Sequence, residues 1–348
     1  DELNNRFAAM GARNKAYTSG EVTCFNAHVL PERLLDAASL LGAMMRPALR
    51  QAEFDTEKGV ILEEIAMYQD NPFWVLYESV IDAHYRGHPL GHRVLGTPET
   101  VSAMQRDHMM AYFSDRYSAD NTVVSLAGSL DFEAAVDAIE EACGSWPPTE
   151  PKRDTTPPER GAEPLDLRDE RVHRGYYLSV CNAPSAQDEE RYAASLVSQL
   201  LGAADNSRMH WALVDTGIAE EAQAGFDPGD GVGSLFMYAS GEPDRIERIA
   251  GIIDAEVRAL PEACTESELE RLRTKIATAA TLSGERPADR MQRIGRQWST
   301  TGVYRTLDEE LDRIAAVTAS DAIRYAERIA SEPVTHGRLS PADAVAEA

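Results

Sequence analysis

The chain has 348 residues, 43 % of them hydrophobic, and a formal net charge of −24. This length and apolar content are enough to bury a core and predict two domains rather than one. The negative charge argues against nucleic acid or an anionic membrane surface as a partner and favours a cationic peptide. No apolar run reaches the length of a membrane span, so we expect no membrane insertion and a soluble protein of the cytoplasm or periplasm.

The first predicted elements are a helix that ends at Gly11, an alternating strand or hairpin over residues 16–30, and a helix over residues 31–45 that Pro31 opens. The four cysteines are scattered singly, without a C-x-x-C pair, which predicts free thiols.

The next predicted helix, over residues 54–70, is the one around which the rest of the chain is organised. Asp55 or Thr56 is expected to cap its first amides, and Asn71-Pro72 to end it. Ile61, Ile65 and Tyr68 form its apolar stripe. This stripe borders a second one formed by Glu57 and Glu64, which are seven residues apart and therefore on nearly the same face. A rise of about 1.5 Å per residue separates them by roughly 10 Å, so both cannot bind one ion directly. If a metal is bound, one of the two glutamates is its ligand and the other supports the site from outside the ligand shell. The alternative interpretation is that both glutamates belong to a solvated helix face.

A helix is predicted over residues 72–85, followed by a loop with His84, His88 and His92. Their spacing would suit a metal only on a helix, and the glycines and proline between them favour a loop. Helices over residues 101–117 and 132–143 and a strand over residues 122–127 complete the first half.

Residues 147–164 contain six of the 18 prolines and predict a linker between a half over residues 1–146 and a half over residues 165–348. The second half has strands predicted near residues 175–180 and 234–239 and helices over residues 188–201, 243–260 and 266–282.

The two halves indicate a weak internal duplication. Pro72 and Pro287 differ by 215 positions, and each follows a predicted long helix. The same offset places Leu272 and Ala279 where the first half has its two glutamates, so only the first half is expected to carry chemistry.

Four stretches, in this order, carry a family resemblance: NKAYTSGEVT, EKGVILEEIAMYQDNP, GHPLGHRVLGTPETV and RYSADNTVVSLAGSLD. They resemble the first half of the pitrilysin/insulinase family of zinc metallopeptidases, the inverzincins, and the likeness spans about residues 3 to 330. The resemblance implies an α+β fold of two similar halves, each a mostly antiparallel sheet with helices on one face, arranged as the clamshell of processing peptidases. It also implies zinc, a peptide substrate bound in an enclosed chamber, and a homodimer or a heterodimer with a related chain.

The resemblance assigns a role to particular residues. Glu64 matches the family's third zinc ligand, and Glu57 matches the supporting Glu of the catalytic site. The family's substrate-binding Asn-Ala-Tyr-Thr corresponds to Lys15, Ala16, Tyr17 and Thr18, and Arg208 keeps the second half's Ser-Arg motif.

This sequence departs from the family pattern in three places. His-x-x-Glu-His, which carries two zinc ligands and the base, is absent from the 348 residues and is expected just upstream of Asp1. Lys15 replaces the family's Asn, and Val214 and Glu220 replace an Arg and a Tyr. Two functions follow from these observations. The first is a zinc endopeptidase that needs an upstream segment, so that the chain as numbered is inactive. The second is a non-catalytic partner or structural subunit of the same family.

Overall fold

The computed structural model describes residues 2–152, 156, 158–159 and 164–342. Its helices are α1 (Glu2–Ala9), α2 (Leu34–Met44), α3 (Gln51–Gln69), α4 (Pro72–His84), α5 (Pro98–Ala103), α6 (Arg106–Arg116), α7 (Phe132–Cys143), α8 (Arg191–Gly202), α9 (Ile246–Arg258), α10 (Leu260–Ala263), α11 (Glu266–Gly284), α12 (Pro287–Thr301), α13 (Leu307–Ala316) and α14 (Ala319–Ser331). Its strands are β1 (Arg13–Thr18), β2 (Thr23–His28), β3 (Leu165–Asp169), β4 (Gly175–Ala183), β5 (Glu221–Pro228), β6 (Gly233–Gly241) and β7 (Thr335–Pro341). The fold is therefore α+β, which confirms the predicted class.

The chain divides into two compact units. The first contains the described residues up to 65, those from 94 to 152, and residues 283–299. The second contains residues 66–93 and the described residues of 155–282 and 300–348. No described helix is long and apolar enough to cross a membrane.

In the first unit, β1 and β2 form an antiparallel hairpin in which Tyr17 lies opposite Cys24. Helix α2 packs on α7 so closely that a Cβ on Gly42 would lie 3.0 Å from the Cβ of Ala142. The buried side chains of this unit include Phe7, Leu40, Ile65, Val101 and Ala135, each from a different helix.

The prediction of a strand over residues 122–127 is wrong in one respect. The segment starts with extended backbone at Thr122, but it joins neither sheet. The backbone groups of Val123 to Ala127 make no hydrogen bond to any residue that the structure describes. The hydroxyl of Ser125 donates to the carbonyl oxygen of Met291 on α12 at 2.8 Å. The alternating sequence therefore has strand character without a neighbouring strand to complete a ladder.

The predicted helix over residues 101–117 is two helices. The side chain of Thr97 caps α5, which starts at Pro98 and ends at Ala103, and Met104 has extended backbone before α6. A sequence pattern of mixed polar and apolar residues does not reveal this two-residue break.

The second unit is built on a five-stranded sheet in the order β3-β7-β4-β6-β5. Only β3 and β7 run parallel, so the sheet is mostly antiparallel as predicted. Helices α8, α9 and α14 cover one face, where Leu196, Ile249 and Tyr325 are buried. Helix α4 covers the opposite face through Leu76 and Val80.

The helix starts follow the predicted duplication. Helices α3 and α11 begin at Gln51 and Glu266, and α4 and α12 begin at Pro72 and Pro287, an offset of 215 in both cases. At the positions equivalent to Glu57 and Glu64, Leu272 is buried and Ala279 is exposed, so α11 has an apolar contact in place of the first carboxylate.

Candidate functional site

Helix α3 begins three residues before the predicted start. The side-chain amide of Gln51 donates to Asp55 Oδ1 at 2.9 Å, and the hydroxyl of Thr56 donates to the carbonyl of Ala52 at 2.9 Å. The predicted capping role of Asp55 or Thr56 is therefore wrong, because both lie inside the helix. Gln, Ala and Glu over residues 51–53 are strong helix formers, which explains the longer helix. Asn71 acts as expected: its side chain accepts from the amide of Phe73 at 3.0 Å and starts α4.

Glu57 and Glu64 both lie on α3, two turns apart. Glu57 is exposed, whereas Glu64 is half-buried next to the buried Ile65. Neither carboxylate makes a hydrogen bond or an ion pair with another described residue. Glu64 is thus a partly desolvated carboxylate with free oxygens, which is the state of a group that can accept a cation.

The described residues do not by themselves build a zinc site. A catalytic zinc needs three protein ligands, and the described residues include no group of three His, Cys, Asp or Glu side chains placed to hold a metal. Glu64 could supply one oxygen ligand, and Glu57 stands too far along the helix to supply a second. The described residues therefore supply one zinc ligand, Glu64.

The predicted substrate-binding residues of β1 are all exposed. Lys15, Ala16 and Tyr17 pair with Asn26, Phe25 and Cys24 of β2. The sheet that contains β1 has only these two strands within the described residues, so the outer edge of β1 is available for a further strand.

The hydroxyl of Tyr17 makes a hydrogen bond to a side chain of α12. It donates to Gln292 Oε1 at 3.0 Å, and partial burial raises the pKa of Tyr17 above its usual value. Tyr17 is therefore a neutral donor whose position the hairpin and α12 set together.

Arg208 belongs to the second unit, just before a π-helical turn at His210–Val214. Its Nε lies 2.6 Å from Oε2 of Glu256 on α9, and the side chain is half-buried. To bind substrate, Arg208 would have to release the carboxylate of Glu256 and pair with a carboxylate of the substrate.

The two substituted family positions lie near Arg208 in the sequence. Val214 packs against the large core of the second unit. Glu220 forms an ion pair with Arg174 at 2.6 Å, and Arg174 also pairs with Glu242. The position that carries a Tyr in the family thus holds a carboxylate that an arginine already neutralises.

The three clustered histidines occupy separate environments. His84 is the last residue of α4 and is buried, with Nδ1 3.0 Å from the hydroxyl of Thr335 and Nε2 3.2 Å from Oδ1 of Asn182. His88 Nδ1 accepts from the amide of Leu90 in the following turn, and His92 is exposed. The hydrogen bonds of His84 and His88 are to structural partners. His84 ends α4, and His88 and His92 follow it, in agreement with the loop interpretation for these two residues.

The sequence analysis missed a cavity of about 490 Å³ in the second unit. It lies over the sheet face that α9 and α14 cover, and its polar groups include Tyr177, Ser179 and His336. The alternation of β4 and β7 signals which side chains share a face, but it does not reveal that the helices above leave space.

Two family models match consecutive parts of the chain. The family model described as "Insulinase (Peptidase family M16)" matches residues 1–98, and the model described as "Peptidase M16 inactive domain" matches residues 103–276. Together with the α+β fold, these matches place the protein in the class of M16-like peptidases and related non-catalytic chains. The chain belongs to the M16 peptidase family, also called the pitrilysin/insulinase family.

Several similar proteins are named as zinc proteases. An uncharacterized zinc protease of Rickettsia bellii is 27 % identical over 343 residues, covering 98 % of this chain and 83 % of the relative. An uncharacterized zinc protease of Mycobacterium leprae is 28 % identical over 340 residues, covering 96 % and 76 %.

Solved structures share the fold at lower identity. A protease from Helicobacter pylori has a TM-score of 0.90 at 18 % identity, covering 98 % of this chain and 85 % of that one. Complex III2 from Candida albicans includes a chain with a TM-score of 0.81 at 15 % identity, covering 97 % and 84 %. The fold is therefore common to a protease and to a chain of Complex III2. The family relation supports a peptidase-like protein without specifying a substrate.

Proposed function

We propose that this protein is a zinc-dependent endopeptidase of the inverzincin type that hydrolyses unfolded peptides or small proteins in an enclosed chamber. The observation that carries the proposal is Glu64: a half-buried carboxylate, free of hydrogen bonds and ion pairs from described residues, on the helix where the family has its third zinc ligand. A group of this kind loses hydration on folding and is stabilised when a cation binds it.

In this proposal Glu64 is a zinc ligand and Glu57 supports the catalytic site from one step further out. The other two ligands and the base would come from a His-x-x-Glu-His motif outside these 348 residues, so the chain as numbered is inactive. Zinc supplies a Lewis acid and an activated water when bound. The residues of this chain provide one ligand and a surface for substrate.

The substrate side of the proposal rests on β1 and on charge. Lys15, Ala16 and Tyr17 lie on an exposed strand whose outer edge can pair with an extended peptide through main-chain hydrogen bonds. Arg208 would bind the substrate by releasing Glu256. The net charge of −24 favours cationic peptides over anionic ones.

The test uses the protein as its gene encodes it. We expect Glu64→Gln to lose most of the bound zinc and nearly all hydrolysis of an unfolded cationic peptide, because an amide is a poor replacement for one of three ligands. Glu57→Gln should lower activity by about 10- to 100-fold, which is the usual effect of replacing a group that supports a metal site without binding the metal. Glu63→Gln is the matched control, since Glu63 is exposed on the same helix turn and has no proposed role. Equal zinc content in wild type and Glu64→Gln would overturn the proposal.

The second candidate is a non-catalytic partner or structural subunit. It is favoured by Lys15 at the family's Asn position and by Glu220, whose carboxylate pairs with Arg174 where the family has a Tyr. This hypothesis predicts a protein that contains no zinc and hydrolyses no peptide on its own, and that co-purifies with a related chain.

We also propose that the protein acts as a dimer, either with a second copy or with a related chain. Light scattering at micromolar concentration should give about twice 38.2 kDa for a homodimer. A monomer without a co-purifying chain would contradict this.

A further inference from the structure

The cavity of about 490 Å³ in the second unit has a floor made of three neighbouring strands. Tyr177, Ser179 and Cys181 of β4 share the face that α9 and α14 cover. The register places His336 of β7 opposite Ser179 and Met237 of β6 on its other side. Five side chains on adjacent strands thus point into one space.

The cavity exists because both helices present small residues above this floor. Helix α9 contributes Ala250 and Gly251, and the end of α14 contributes Ala330. A Cβ built on Gly251 would meet nothing within 4 Å, so the space extends to the backbone of α9. The volume falls in the range of pockets that hold small organic ligands.

The charged side chains around the cavity are paired with one another. Arg338 forms an ion pair with Glu247, and Arg258 lies 3.6 Å from Asp254. Glu332 accepts from the amide of Asn182 at 3.4 Å. Both ion pairs are largely exposed and therefore weak. An ionised ligand would still compete with a partner that is already in place, so the arrangement favours an uncharged ligand.

His336 is the polar group of the floor with unused capacity. Its ring is half-buried and makes no hydrogen bond with a described residue. Burial, and then the charge of Arg338, lower the pKa of His336, so the imidazole is neutral at pH 7 and offers one donor and one acceptor nitrogen. The ring of Tyr177 lies 6.1 Å away at an interplanar angle of 32°, so two aromatic rings line the same wall.

We propose that this cavity binds a small, uncharged, planar aromatic molecule that carries one N–H or O–H group, of the indole or phenol class. The aromatic rings of Tyr177 and His336 contact the ligand ring, and the acceptor nitrogen of His336 accepts a hydrogen bond from the N–H or O–H group of the ligand. The remaining lining combines the paired charged side chains with apolar ones, among them Leu235, Met237, Val257 and Ile329. This inference does not depend on the zinc site, which belongs to the first unit.

The probe is indole, titrated into the full chain by isothermal calorimetry. We expect saturable binding with a Kd below about 1 mM, the range open to a ligand of this size in a matching pocket. Benzothiophene has the same shape without the N–H, and we expect it to bind about 5- to 10-fold more weakly, the effect of one lost hydrogen bond.

Gly251→Leu fills the cavity from α9 and should abolish the binding. The change improves helix propensity and meets open space, so the variant is expected to fold. Gly59→Leu is the matched control, because Gly59 is also helical and open but belongs to α3, and it should bind indole like the wild type. Ala330→Leu fills the cavity from α14 and serves as the second blocking variant.

Absence of saturable indole binding to the wild type would overturn the proposal, as would an unchanged Kd in both Gly251→Leu and Ala330→Leu. Equal affinity for indole and benzothiophene would overturn the role assigned to His336. Loss of binding in both filled variants, with Gly59→Leu unchanged, supports the site.

Discussion

Gly337 of β7 lies directly against Val80 of α4, so closely that a Cβ on the glycine would be 2.6 Å from Cγ2 of Val80. The same atom would be 3.0 Å from Leu76 Cδ1. Both helix residues are fully buried, so neither can move into solvent. The absence of a side chain at this one position is what lets α4 pack onto the second face of the sheet.

We therefore expect Gly337→Ala to destabilise the protein by about 1–3 kcal/mol, the usual cost of overpacking a core. Urea denaturation followed by circular dichroism measures this. Gly251→Ala is the control: the glycine is helical with open space around it, and the change should stabilise by up to about 1 kcal/mol. A neutral Gly337→Ala would mean that α4 does not pack here as described.

Amide exchange should separate the unpaired segment from the sheet. Val123 to Ala127 have no backbone hydrogen-bond partner among the described residues, whereas β6 is bonded on both sides by β4 and β5. We expect residues 123–127 to exchange at nearly the rate of an unprotected chain, and the centre of β6 to exchange only on global unfolding. Mass spectrometry or NMR of the 348-residue chain measures both. Comparable protection in the two segments would show that a strand from elsewhere covers residues 123–127.

The chain as numbered should hold almost no zinc. One carboxylate, Glu64, is the single ligand that we assign to it, and a lone carboxylate does not retain the ion through dialysis. We expect less than about 0.1 zinc per chain by elemental analysis after dialysis against metal-free buffer. Retention of one zinc per chain would contradict this expectation and would require ligands that the described residues do not bring together.

Alkaline pH should weaken the second unit through its buried tyrosines. Burial raises the pKa of Tyr177 to about 12, and the residue is 4 % exposed. The folded form keeps its proton up to a higher pH than the unfolded form does. The stabilisation is therefore complete below pH 10, the ordinary tyrosine value, and is lost as the pH rises from 10 towards 12.

The expected loss is on the order of 2 kcal/mol in the free energy of unfolding. Denaturation at pH 9 and at pH 11.5 measures it, and Tyr177→Phe should remove this part of the pH dependence. Tyr112→Phe serves as the control, since Tyr112 is 63 % exposed. The prediction fails if both variants depend on pH in the same way.

Much of the local structure followed from the sequence. The stripe of Ile61, Ile65 and Tyr68 predicted α3 as a helix, and Asn71-Pro72 predicted where it ends, because these signals act within a few residues. Glu57 and Glu64 lie on α3 as their spacing required. The wrong start of α3 has a local cause too. Asp55 and Thr56 make their hydrogen bonds within the helix, whereas the sequence favoured them equally well as caps.

Other features depended on contacts between distant residues. Residues 122–127 have the composition of a strand, but a ladder needs a neighbour, and no described segment supplies one. The ion pair of Glu220 with Arg174 joins residues 46 positions apart, and no periodicity predicts it.

By itself, the sequence determined the family, the α+β class and the helix that carries Glu64, since these rest on short motifs and on repeating patterns of apolar residues. Only the tertiary structure decided that Gly337 admits α4, that Arg208 is held by Glu256, and that α9 and α14 leave a cavity above His336. The reason is physical: packing and ion pairing are set by the distances between segments far apart in the chain, whereas helices, caps and strands are set by neighbours within it.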